Sequence, residues 1–161
     1  MVIHMRRNPV VIVGAALLTA GAVIVAASGQ AAPKAVAASM VVYKSATCGC
    51  CKAWVEHLRG HGFQVDARDV SDSQLTSVAV QSGVPANLQT CHTAKVGRYV
   101  VEGHVPAEDI QRMLKEQPAI AGIGVGGMPM GSPGMEQGGQ KQPFSTMAFT
   151  SDGQQTVFAK H

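Results

Sequence analysis

From residue 40 onward the apolar residues change rhythm repeatedly, and each change marks an element. Met40-Val41-Val42-Tyr43, followed by Lys44, is a short apolar run that predicts a buried strand. Over Cys51–His61, Trp54, Val55 and Leu58 fall at i, i+1 and i+4, which predicts a helix, and Gly62 stands where a helix ends. Phe63, Val65 and Ala67 then alternate with Gln64, Asp66 and Arg68, so Phe63–Val70 reads as a strand. Ser71-Asp72-Ser73 supplies an N-cap cluster for a second helix through Leu75, Val78 and Ala79, stopped by Gly83 and Pro85. A strand, helix, strand, helix order implies a crossover between two parallel strands.

Beyond it the pattern changes again. Cys91–Val96 and Arg98–Glu102 form two extended arms around Gly97, a predicted hairpin. Pro106, Glu108 and Asp109 suit a helix N-terminus, and Ile110, Met113 and Leu114 give that helix an inward face before Pro118. Residues 119–143 keep no period and are dominated by Gly, Pro, Met and Gln, which predicts a long loop. Phe144–Thr150 and Gln154–Ala159 flank Ser151-Asp152-Gly153 as a terminal hairpin. The expected class is α/β: a thioredoxin-like mixed sheet flanked by helices, with an added C-terminal β-hairpin and a long Gly/Met/Pro loop.

The first residues read differently. Arg6 and Arg7 precede Pro9–Ala27, an uncharged run rich in Val, Ala, Leu and Ile, with the layout of a bacterial-type export signal. The run is nearly long enough to span a bilayer, which takes about 20 apolar residues. Residues 1–39 are therefore expected to be a signal peptide or an N-terminal membrane anchor plus linker, and residues 40–161 the thioredoxin-like domain. Positive charge ahead of the run places the rest of the chain outside the cytoplasm, so a periplasmic location is expected, with membrane contact only through an uncleaved N-terminal segment.

Charge narrows the function classes. The net charge is only +3 and no Lys/Arg block exceeds two residues, which leaves nucleic-acid binding without support. Four cysteines in an exported domain suggest two structural disulfides. Their spacing argues otherwise, because Cys50 and Cys51 are neighbours and close no useful loop.

Three of the four cysteines occupy Cys48-Gly49-Cys50-Cys51, between a predicted strand and a predicted helix. Free backbone N–H groups at such a turn favour thiolate. Cys48 and Cys51 alone make a C-x-x-C redox pair, and they are the catalytic candidates if the chain is redox-active. Adding Cys50 concentrates negative charge that a soft cation would relieve, and bridging thiolates can hold a small metal cluster. Met128, Met130 and Met135 offer thioethers among residues too small to obstruct close approach, which tips the metal toward copper, Cu(I) above all. Methionines more commonly just cover an apolar face.

Thr90-Cys91-His92-Thr93 sits where glutaredoxin-like domains carry the Thr-Val-Pro loop that faces the cysteine pair, so Cys91 is expected beside the turn. In an extended segment His92 would then face away. His104 follows the hairpin at the ligand edge of such folds, where an exposed loop histidine is the ordinary case. His57 and His61, four apart, have metal-binding spacing but no third ligand nearby in sequence, which favours a solvated helix face. Trp54 is expected in the core.

Thr47-Cys48-Gly49-Cys50-Cys51-Lys52-x-Trp54, Gly83-Val84-Pro85, Cys91-His92-Thr93-Ala94, Val101-Glu102-Gly103-His104-Val105-Pro106 and the Gly/Met/Pro stretch from Gly127 to Met135 together resemble the CopG-like family of exported metal-binding proteins associated with copper resistance. The resemblance runs over residues 40–160 in consistent order; Val96-Gly97-Arg98-Tyr99 departs from the family's simpler turn. It implies a thioredoxin-like fold, a periplasmic location and a copper site with Cys48, Cys50, Cys51 and Cys91 as thiolate ligands, and Met130, Met135 and His104 as candidate completers. Partners would be copper ions, other periplasmic copper-resistance proteins or a thiol reductant. Two other functions stay open: a thiol-disulfide oxidoreductase without stable metal, and a zinc-binding module.

Overall fold

The computed structural model describes residues 38–136 and 138–161; the expected signal or anchor falls outside them, apart from its last two positions. No helix among the described residues is long and apolar enough to cross a membrane.

Strand β1 (Ser39–Ser45) runs parallel to β2 (Gln64–Val70), with Val42 opposite Ala67. Between them lies α1 (Gly49–Gly60), which buries Cys51, Trp54, Val55 and Leu58 on one stripe. Helix α2 (Asp72–Gln81) opens on a capping box, in which the Ser71 hydroxyl accepts from Gln74 N–H and the Gln74 side chain accepts from Ser71 N–H. Such a box is worth about 1 kcal/mol and fixes where the chain enters the helix. Strands β3 (His92–Val96) and β4 (Tyr99–Glu102) make the expected hairpin across Gly97, whose φ is +55°. Helix α3 (Ala107–Glu116) carries Glu108 and Asp109 in its first turn, where the helix dipole favours acids.

The predicted loop contains a strand. Gly122–Gly124 forms β5, parallel to β4, and β6 (Ser145–Phe149) and β7 (Gln155–Lys160) follow as the terminal hairpin. The result is one mixed sheet in the order β2-β1-β3-β4-β5-β6-β7, whose first four strands have the thioredoxin-like arrangement. Glycine hides β5 from any reading of strand propensity. The strand needs it: a Cβ on Gly122 would collide with the Val100 carbonyl oxygen.

Both faces of the sheet are covered. Val101 belongs to the core built with Trp54, Leu58, Ile110 and Met113 from α1 and α3, whereas its neighbour Val100 packs with Ala79 of α2, Leu88 and Phe149. Successive strand residues point to opposite faces, so α1 and α3 lie on one side and α2 on the other. Trp54 is fully buried and donates Nε1–H to Val105 O at 2.8 Å, which pins α1 to the segment carrying His104.

Candidate metal centre

Helix α1 begins two residues earlier than its apolar stripe indicates. Cys48 is its N-cap, and Cys50 and Cys51 belong to its first turn. A helical turn sends these side chains toward one end of the sheet, where the β3 strand starts. Ser45 N–H donates to Cys91 O at 3.2 Å, tying the bend before β3 to the end of β1. All four sulfurs therefore converge: Cys48 Sγ lies 3.2 Å from Cys50 Sγ and 3.1 Å from Cys91 Sγ, and Cys51 Sγ lies 2.9 Å from Cys91 Sγ. Cys48 and Cys51 form a disulfide, with Cα atoms 5.4 Å apart, and Cys50 and Cys91 are free.

His92 does not turn away. Cys91 sits in a bend ahead of β3 rather than inside it, so the strand alternation that would separate the pair does not apply. His92 Nδ1 is 3.4 Å from Cys51 Sγ, and the ring lies between Trp54 at 4.4 Å and His104 at 4.9 Å, centroid to centroid. His104 is likewise buried rather than exposed. Gly103 allows this: its φ is +70°, and a Cβ there would collide with Val125 O. His104 Nδ1–H donates to Pro133 O at 2.8 Å, which draws the Gly/Met/Pro loop onto the site.

Electrostatics favour neutral donors in the absence of metal. Burial, then the nearby Cys50, pushes the Cys91 thiol up to about 11. Burial, then His104, takes His92 down to about 3, and burial also lowers His104. The Nε2 atoms of both histidines are buried without a hydrogen-bond partner. An orphaned buried imidazole nitrogen is costly unless something takes its lone pair. Cys48, Cys50, Cys51 and Cys91 form one set able to hold a metal ion; Cys91, His92 and His104 form another, each with its ligand atoms within 4.8 Å of one another. The donor set is soft sulfur with neutral imidazole behind it, which fits a thiophilic metal, and a bound cation would take the place of the Cys91 proton.

The loop methionines divide. Gly134 lies against the first turns of α1, where a Cβ would be 2.8 Å from Cys50 O and 2.9 Å from Trp54 N, so the loop packs on the cysteine helix immediately before Met135. Met130 lines a 390 Å³ cleft with Pro106, Lys141, Phe144 and His161, and no cysteine lines that cleft. Two contributors escape sequence reasoning. Strand alternation points His92 away from the site, and Glu102 carries no signal at all. Glu102 is fully buried; its carboxylate accepts from Thr90 N–H at 2.7 Å, Thr90 Oγ1–H at 3.0 Å and Thr93 Oγ1–H at 2.7 Å, bracketing Cys91 and His92. Burial pushes its carboxyl up to about 7.

The family described as "Protein of unknown function, DUF411" matches residues 88–135, a span holding Cys91, His92, His104 and the loop through Met135. Two solved structures, "Copper resistance protein copG- Form 1" and "Form 2", are each 39% identical, with a TM-score of 0.72, 78% of this chain covered and 98% of theirs. No curated protein matches.

Proposed function

The chain belongs to the CopG-like family, and from that premise we propose that it is a copper-binding protein of copper resistance, working in the periplasm and holding Cu(I) on Cys48, Cys50, Cys51 and Cys91. The observation that carries this reading is the convergence of the chain's four cysteine sulfurs, all within 4.8 Å of one another and three of the pairs at 2.9–3.2 Å. Reduced and ionised, four thiolates so close repel one another, and each bridging Cu(I) removes part of that repulsion. A small thiolate-bridged cluster suits the geometry better than one isolated ion. His104, with His92, and Met135 from the loop over α1 are the completing donors; Met130, in its cleft, serves copper on the way in or out.

A redox role fits the same residues. Oxidising Cys48 and Cys51 to their disulfide releases two electrons and two protons, enough to reduce two Cu(II) to two Cu(I). A dithiol reductant from the periplasm must then restore the pair. The disulfide, with Cys91 Sγ 3.1 Å from one sulfur and 2.9 Å from the other, favours thiol-disulfide exchange as a second reading.

Anaerobic titration of the reduced protein with Cu(I) against a strong chelator, with metal counted by elemental analysis, tests the proposal. Retention of more than one copper per chain is expected. A protein that keeps none but reduces insulin efficiently is an exchange enzyme, and one that keeps stoichiometric zinc against Cu(I) is a zinc module.

A further inference from the structure

A second cluster of metal-ligating side chains lies farther along α1. His57 and His61 share one face of that helix, and α3 brings them the third donor that the local sequence lacks, Glu108 of its first turn. One ligand atom from each of the three lies within 4.8 Å of the others.

The hydrogen bonds of His61 define what its ring offers. His61 Nδ1 lies 2.7 Å from the His57 carbonyl oxygen and must be the N–H donor there. In the neutral ring, Nε2 then carries a lone pair, and it faces Glu108 Oε1 at 3.3 Å. Two acceptors held that close need a proton or a cation between them. A backbone carbonyl gripping the far ring nitrogen is also the usual support of a metal-bound imidazole. The ring centroid of His57 lies 4.3 Å from that of His61, and burial, then His61, lowers the pKa of His57. Its Nε2 accepts at 3.2 Å from Ala107 N–H, a first-turn donor of α3 that has no helical partner. A cation binding that nitrogen must displace this bond at the buried Ala107.

We propose that His57, His61 and Glu108 form a second metal site, distinct from the cysteine cluster, that takes a borderline divalent cation. Two imidazoles and a carboxylate suit Cu(II) or Zn(II) and offer Cu(I) no soft donor, and Cu(II) stands first in the affinity order. Only the choice of copper rests on the copper-resistance reading; the donor set does not. His57 follows Cys51 by six residues on one helix, about 9 Å along its axis at 1.5 Å per residue. The site is thus placed to receive oxidised copper near thiols able to reduce it.

The test uses the Cys50→Ser/Cys91→Ser chain with its Cys48–Cys51 disulfide intact, which leaves no free thiol to reduce or capture Cu(II). Titration followed by electron paramagnetic resonance should show one nitrogen-ligated Cu(II). Adding His61→Gln should weaken it at least tenfold, and Glu108→Gln severalfold. A signal unchanged by both substitutions, or no bound Cu(II), overturns the proposal. Should the double variant lose its fold by circular dichroism, Zn(II) titration of the Cu(I)-treated wild-type chain decides instead: His57 and His61 ring protons must shift together. The Cu(I) capacity of the wild type is counted separately. Its failure alongside an intact nitrogen-ligated site removes the cluster reading and leaves this one standing.

Discussion

Cys50 Sγ lies 3.2 Å from Cys48 Sγ, yet Cys50 takes no part in the disulfide that Cys48 makes with Cys51. A disulfide exchanger has no use for a third thiol so placed, whereas a thiolate-bridged metal site does. Cys50→Ser should therefore cut Cu(I) capacity by at least half while the Cys48–Cys51 disulfide still forms. Metal analysis with a thiol count before and after mild oxidation reads both quantities. Full copper capacity in this variant would return the turn to a redox pair.

The loop over α1 depends on one glycine. Gly134 combines a φ of +85° with an approach that leaves no room for a Cβ beside Cys50 O and Trp54 N. Gly134→Ala should cost about 2 kcal/mol through backbone strain and overlap. Denaturant unfolding would measure the loss. If the loop shields the metal, the same variant should surrender Cu(I) to a chelator several times faster at unchanged capacity, and an unchanged release rate would separate the loop from copper handling.

Glu102 makes stability depend on pH in a direction opposite to that of most carboxylates. Burial raises its folded pKa to about 7 from an ordinary 4.5, so between those values the folded state holds a proton that the unfolded chain has released. Stability is then highest below pH ~4.5 and falls as pH rises toward about 7, by at most about 3 kcal/mol. Glu102→Gln should flatten this slope in the metal-free protein while keeping much of the hydrogen bonding to Thr90 and Thr93. Melting temperatures across that window, wild type against variant, would check it, and parallel curves would show that Glu102 is not the group responsible.

What the chain discloses in advance is what its local order encodes. The spacing of Trp54, Val55 and Leu58, the alternation from Phe63, and the Ser71 cap each specify an element from adjacent residues, and their order leads to the first four strands. The cysteine turn is legible because three sulfurs adjoin in sequence, and Cys91 because one loop of the fold faces that turn. Strand β5 is illegible because Gly122-Ile123-Gly124 becomes a strand only through its neighbours, β4 and Phe149. His92 is misplaced by any reading that assigns Cys91 to the strand it precedes. Glu108 cannot be joined to His57 and His61 from sequence, since only the docking of α3 on α1 brings them together.

His92 allows the ligand and packing roles of an imidazole to be separated. Its ring packs at a tilt against Trp54 and meets His104 edge-on, contacts that a phenyl ring can also make, while Nε2 has no partner and Nδ1 faces Cys51 Sγ. His92→Phe keeps an aromatic ring of similar size and removes two buried polar atoms, of which one is unsatisfied, so the metal-free protein should be as stable as the wild type or slightly more so. Cu(I) affinity should nonetheless fall about tenfold, or roughly 1.4 kcal/mol, because a neutral nitrogen donor behind the sulfurs is gone. Competition with a chelator gives the affinity and thermal melting gives the stability. Equal copper affinity in the two proteins would place His92 in the core and leave the cysteines and His104 to hold the metal without it.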